Sequence, residues 1–70
     1  MQTIDRSLVD RIGLSTKAHE YELTAQAYRC LAKALHEGGQ VGLSIEYDEK
    51  AALNVKLAQN ARNIIRRKFK

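Results

Sequence analysis

Proline is absent from this 70-residue sequence, glycine occurs four times, and cysteine occurs once. Because proline and glycine interrupt helices, a chain with so few of them favours long, continuous helices. The single thiol, Cys30, excludes an internal disulfide. Residues 1–13 are charged and contain no apolar core for export, so together with the lone thiol they predict a cytoplasmic protein.

Several functional classes are disfavoured by what the sequence lacks. No apolar run approaches the roughly 18 residues that a membrane span needs, so we expect no membrane insertion. The plausible metal ligands His19, Cys30 and His36 lie at spacings that match no zinc pattern. No nucleophile or base with an orienting partner can be assembled, so we expect neither enzymatic activity nor a cofactor. A binding function is the expectation that remains.

The glycines divide the chain into three predicted helical pieces. A short helix over 5–12 ends at Gly13, a long second helix ends at the Gly38–Gly39 pair, and a third helix covers 48–70. The sequence therefore predicts an all-α fold over residues 1–70, a helical hairpin of two long helices with a short N-terminal helix. The predicted N-cap residues are Asp5 or Ser7 for the first helix, Ser15 or Thr16 for the second, and Asp48 for the third.

Residues 40–47 between the long helices have a different pattern. Apolar side chains at 41, 43, 45 and 47 alternate with polar or small ones, which is typical of a strand. A single strand needs a ladder partner for its backbone groups. Two interpretations remain open: an extended loop that places alternate side chains against the helices, which we favour, or a strand that pairs with its copy in a second protomer.

The second predicted helix is apolar on more than one side. One stripe at alternating steps of four and three contains Leu14, Ala18, Tyr21, Ala25, Tyr28, Ala32 and Leu35. A second row beside it contains Leu23, Ala27, Cys30, Leu31 and Ala34. Only about 80–100° of the circumference is left polar. The pattern predicts that this helix is covered on more than one side, that its tyrosines pack between alanines, and that the Cys30 thiol is structural and buried.

The third predicted helix is apolar over about half its circumference, with Asn54 in the middle of that face. A single antiparallel neighbour hides less than this, so we expect the hairpin to dimerise into a helical bundle. A buried asparagine can fix register and oligomeric state, or it can bond to a backbone carbonyl of its own subunit. Both interpretations of Asn54 are kept.

Positive charge is concentrated in the last part of the chain. Residues 1–47 carry five basic and six acidic side chains, whereas residues 48–70 carry seven basic and two acidic ones. Three interpretations are open: complementation of the helix end together with solubility, which we favour, an acidic protein partner, or nucleic acid. The basic side chains at the end are Arg62, Arg66, Arg67, Lys68 and Lys70.

Two family resemblances accompany these patterns. The segment Ala-Arg-Asn-Ile-Ile at 61–65, the preceding Leu53 and Leu57, and the glycine-containing turn resemble the small helical-hairpin co-chaperones of type III secretion needle subunits. Glu20-Tyr21 and the Ala34-Leu35 region resemble the flagellin-binding regulator family. No functional residue is carried over from either family.

The predicted function is that of a small binding module, such as an adaptor, co-chaperone or inhibitor, which presents apolar helix faces to a protein partner and forms a homo-oligomer. The alternative is a nucleic-acid-associated regulator that uses the basic C-terminal helix. The predicted partner-binding residues are Tyr21, Tyr28, Leu53, Asn54, Leu57, Ala61, Ile64, Arg66 and Arg67.

Overall fold

The computed structural model describes residues 6–69, which form two antiparallel helices. Helix α1 covers Arg6–Glu37 and helix α2 covers Val41–Lys68. The Cα trace extends over 59 × 24 × 11 Å, so the molecule is a rod two helices wide and one helix thick. The predicted all-α helical hairpin is confirmed, and the described residues contain no strand.

The double glycine forms the turn, as predicted. The amide of Gly39 donates to the carbonyl of His36 at 3.1 Å, and the amide of Gln40 donates to the carbonyl of Leu35 at 2.8 Å. This pair of bonds is the Schellman motif, which ends a helix by turning the chain through a left-handed residue. Gly39 supplies that residue, with φ of +86°. The amide of Ser44 then donates to the carbonyl of Gln40 at 2.9 Å, and α2 begins.

The contact between the helices is built from small side chains at every seventh position. Ala18, Ala25 and Ala32 are buried on α1, and Ser44, Ala51 and Ala58 are buried on α2. Since the turn makes the helices antiparallel, these two series run past each other, and Ala25 lies about level with Ala51. We call these six residues the alanine seam. Small side chains let helix axes approach closely, towards the low end of the usual range of about 8–10 Å.

The alanine seam hides little apolar surface. The buried apolar residues of the described chain are all alanines, and no large side chain in it is fully buried. Ten large apolar side chains are instead more than two-fifths exposed: Leu8, Val9, Ile12, Leu23, Leu31, Val41, Leu43, Ile45, Leu53 and Ile64. Because burial of apolar surface is the dominant favourable term in folding, the isolated hairpin stabilises itself weakly for its length.

The prediction of a separate short N-terminal helix that ends at Gly13 is wrong. Helix α1 continues through Gly13, Ser15 and Thr16, which were the predicted stop and the predicted caps. A glycine inside a helix costs only about 1 kcal/mol relative to alanine, and the bonds and packing of the following turns offset this. Gly13 is also exposed, so its missing side chain leaves no gap. The predicted cap Asp5 lies outside the described residues, and Ser7 lies inside the first turn of α1.

Both interpretations of residues 40–47 are wrong, because α2 begins at Val41. The alternating apolar positions also satisfy a helix, since 41 and 45 are four apart, as are 43 and 47. Helical geometry brings Ser44 into the alanine seam, seven residues before Ala51. The predicted cap Asp48 accordingly lies inside α2, and the N-cap position is held by Gln40, which makes no side-chain capping bond.

Replacing Gly39 tests the turn. Because a side chain at a positive φ is strained, we expect Gly39→Ala to lower the free energy of unfolding by about 1–2 kcal/mol. Gly38→Ala is the matched control, since its new methyl group would meet the nearest carbonyl oxygens at ordinary distances of 3.5 and 3.7 Å. Urea denaturation of the two variants measures the difference. Equal losses of stability would contradict the assigned role of Gly39.

Enlarging one seam residue tests the close approach of the helices. We expect Ala25→Leu to lower the free energy of unfolding by about 1–3 kcal/mol, since the extra atoms have no space at a position that is 2% exposed. Ala52→Leu makes the same change at an exposed site on α2 and should stay within about 0.5 kcal/mol of the native chain. Thermal or urea unfolding followed by circular dichroism measures both. If Ala25→Leu were as stable as Ala52→Leu, the alanine seam would not be tightly packed.

Candidate functional site

One broad side of the hairpin carries tyrosines from both helices. The rings of Tyr28 on α1 and Tyr47 on α2 have centroids 5.7 Å apart and planes tilted by 30°. Tyr21 lies two turns before Tyr28 on α1, and all three rings are half-buried. We call these three residues the tyrosine face. Tyr21 and Tyr28 lie on the stripe of α1 that contains the buried Ala18, Ala25 and Ala32, as the periodicity predicts.

Lysine side chains cover much of the tyrosine face. The Nζ atom of Lys50 lies 4.9 Å from the ring centroid of Tyr47 and 6.0 Å from that of Tyr28. The Nζ atom of Lys17 lies 5.3 Å from the ring centroid of Tyr21. Cation–π contacts of this kind contribute about 0.5–1 kcal/mol at exposed sites. The tyrosine rings therefore already have partners within the chain, and a ligand would first have to move the lysines.

The side of α1 that faces away from α2 is largely apolar and exposed. At 100° per residue, its members lie within about 40° of the direction opposite Ala25. We call this set the outer face of α1: Ile12, Leu23, Ala27, Cys30 and Ala34, with the polar Thr16 and Glu20 among them. Leu23 is 52% exposed and Ile12 is 56% exposed, and no part of the described chain covers them.

Cys30 is exposed, so the prediction of a buried structural thiol is wrong. Its row does lie on an apolar side of α1, as the sequence indicates. That side faces away from the only other described helix, which covers the first stripe alone. The expectation that α1 is covered on more than one side is therefore not met within the hairpin.

The predicted partner-binding residues divide into two groups. Ala61 is buried, and Tyr21, Tyr28, Asn54 and Leu57 are half-buried, so a partner would reach them only in part. The exposed members, which a partner can reach, are Leu53, Ile64, Arg66 and Arg67. Of these, Ile64 lines an open groove with Val9, Leu14 and Lys17 of α1.

Asn54 bonds within its own helix. Its Nδ2 atom donates to the carbonyl oxygen of Lys50 at 2.8 Å. The interpretation in which the amide finds a backbone carbonyl of its own subunit is confirmed. The amide therefore needs no second protomer to satisfy this donor.

The fold gathers positive charge at one end of the rod. We call residues 6–21 and 55–69 the open end, and residues 22–54 the turn end. The open end carries eight basic and two acidic side chains, a balance of +6, and the turn end carries three basic and five acidic ones, a balance of −2. The antiparallel arrangement places Arg6 and Arg11 of α1 at the same end of the rod as the basic end of α2. Arg62 is partly neutralised by an ion pair with Glu22 across the hairpin.

Within residues 6–69, no group of three or more histidine, cysteine, aspartate and glutamate side chains could hold a metal ion. His19 and His36 are both exposed, and His36 lies in the last turn of α1, where a cation complements the helix dipole. Neither described helix is long and apolar enough to cross a membrane.

Comparison of the chain with protein-family models, with curated proteins and with solved structures finds no match. The two family resemblances therefore stay predictions. What the chain can bind has to be argued from its own exposed surfaces, which include the outer face of α1 and the charged open end.

Proposed function

We propose that this chain is a small cytoplasmic protein-binding module of the adaptor, co-chaperone or inhibitor kind, which binds through apolar helix faces, forms a homo-oligomer and performs no chemistry itself. One observation carries this proposal: the hairpin buries alanines in its own contact and leaves most of its described leucines and isoleucines exposed. In a self-sufficient core the largest apolar side chains are the most buried, so this hairpin has the opposite distribution of burial.

The energetics favour a partner on the outer face of α1. Fully burying a leucine or isoleucine is worth about 1.5–3 kcal/mol, so covering the exposed half of one such side chain is worth about 1 kcal/mol. Ile12 and Leu23 lie along one side of the helix, where a single partner helix can cover both. Exposed apolar patches mark interaction sites in soluble proteins.

Association with nucleic acid is the second candidate function, and the open end favours it. Its balance of +6 gives a polyanion a larger target than the end of α2 alone. The side-chain contacts at the C-terminal end of α2 favour nucleic-acid binding less. Arg62 is held by Glu22, and the ring of Phe69 is half-buried with the Nζ atom of Lys68 5.8 Å from its centroid. A bare basic patch supplies affinity for phosphate without base recognition.

A charge on the outer face tests the proposed function. We expect the native chain to sediment as a dimer or larger species at micromolar concentration. Leu23→Glu should weaken self-association at least tenfold, since it removes apolar contact and buries a carboxylate; tenfold corresponds to about 1.4 kcal/mol. Sedimentation equilibrium measures the association, and circular dichroism checks that the variant keeps its helices.

Gln59→Glu is the matched control, because it adds the same charge to the exposed polar side of α2. It should associate like the native chain. A native chain that is a stable monomer without a bound partner would remove the proposed function. Equal loss of association in the two variants would show that net charge, and not the outer face, controls assembly.

A second prediction separates protein binding from nucleic-acid binding. Because we favour a protein partner, we expect no mobility shift of DNA or RNA by the native chain at physiological salt. Fluorescence anisotropy with labelled oligonucleotides over a salt series measures any residual binding. A shift that Arg66→Ala/Arg67→Ala abolishes, and that Arg29→Ala/Lys33→Ala at the turn end leaves intact, would overturn this expectation.

A further inference from the structure

A groove lies at the open end of the hairpin, between the first turns of α1 and the last turns of α2. Its floor is apolar, because it is lined by Val9, Gly13 and Leu14 of α1 and by Ile64 of α2. Val9 is 49% exposed and Ile64 is 41% exposed, so water covers much of this apolar surface. We call it the open-end groove. It is shallow and open to solvent, so it suits a ligand that lies across the surface better than an enclosed small molecule.

Gly13 lies in this groove for no reason internal to the hairpin. Its φ is not positive, and a Cβ added to it would meet no atom within 4 Å. A glycine in a helix interior is nevertheless destabilising relative to alanine. Glycine is useful where another backbone approaches closely, since it presents no side chain. An occupant of the open-end groove would supply that approach.

Lysines flank the apolar floor. Lys17 of α1 and Lys68 of α2 line the groove together with one carboxylate, that of Asp10. No carboxylate of the described residues pairs with Lys68, and Lys17 pairs only with Glu20, at 3.5 Å between exposed side chains. Such an exposed pair contributes little, so another carboxylate can replace it. The surrounding open end has a balance of +6 and therefore attracts an anionic occupant over a longer range.

The backbone of the hairpin limits the form of the occupant. An extended peptide gains affinity by pairing with the edge of a sheet, and residues 6–69 contain no strand. A helix satisfies its own backbone hydrogen bonds, so it can lie in an apolar groove without such an edge. We propose that the open-end groove binds an acidic amphipathic helix of a partner protein. The apolar face of that helix lies on Gly13 and Ile64, and its carboxylates reach Lys17 and Lys68.

This inference goes beyond the proposed function, because none of the residues that line the open-end groove belongs to the outer face of α1. Self-association and helix binding therefore use different surfaces. Leu23→Glu, which changes the outer face, should leave helix binding intact. Gly13→Leu, which fills the groove, should leave self-association intact.

The test begins with the selection of peptides on the native chain. A phage-displayed library of random peptides, about 16 residues or roughly four helical turns long, is selected on the full chain and counter-selected on Gly13→Leu. We expect the enriched peptides to carry net negative charge and to repeat apolar residues at steps of three and four. Fluorescence anisotropy then measures the binding of one labelled peptide. Gly13→Leu should weaken that binding about tenfold or more, because the new side chain occupies the groove.

Further variants separate the groove from the fold and from net charge. Gly13→Ala should raise Tm, since alanine favours the helix, and should still weaken peptide binding, a combination that a damaged fold cannot give. Ala52→Leu places a leucine at an exposed site outside the groove and should bind like the native chain. Lys68→Ala should weaken binding more than Lys56→Ala, because each removes one charge from the open end but only Lys68 lines the groove.

Enriched peptides that are basic or neutral would overturn the inference, as would a selection that enriches no peptide whose binding depends on Gly13. Loss of self-association in Gly13→Leu would show that a second copy of this chain occupies the groove, and would also overturn it. The same holds for a labelled oligonucleotide whose binding Gly13→Leu blocks. A native chain that sediments as a monomer but binds acidic peptides in the groove would remove the proposed self-association and support this inference.

Discussion

The alanine seam is the constraint on which the rest of the structure depends. Small side chains at every seventh position of both helices let the two backbones pack over about 21 Å of the 59 Å rod, from Ala18 to Ala32 on one side and from Ser44 to Ala58 on the other. A seam of alanines defines the register without using the larger apolar side chains. Those side chains are therefore placed on other faces, where water covers them unless a partner does.

The seam also arranges charge. By holding the helices antiparallel, it brings Arg6 and Arg11 beside the basic end of α2 and leaves the carboxylates around Asp48 at the other end. The result is a rod with opposite ends of opposite sign and one apolar side. Apolar area supplies the free energy of association in such a molecule, whereas charge mainly selects orientation and encounter rate. The proposed module thus uses separate surfaces for folding and for binding.

Sequence patterns predicted the parts of the fold that local chemistry decides. The stripe through Ala25 and Tyr28 and the Gly38–Gly39 turn follow from periodicity and from the need for a residue at positive φ. The predictions of a loop or strand over residues 40–47 and of a helix end at Gly13 were wrong, because tertiary packing and helix bonds outweigh local preference. Ser44 is buried in the alanine seam, and the helix bonds around Gly13 offset the cost of a glycine. Periodicity placed Cys30 on the correct side of α1, but its burial depends on how many helices surround α1, and periodicity does not give that number. The basic open end could be predicted only with the antiparallel arrangement of the helices in hand.

The central claim is that the hairpin depends on contacts between chains for much of its stability. The most direct test is the thermal midpoint, Tm, measured by circular dichroism over a hundredfold range of protein concentration. Because association stabilises only the folded form, the account predicts that Tm rises steadily with concentration. A Tm that is high and independent of concentration would show that the alanine seam suffices alone, and would contradict the account.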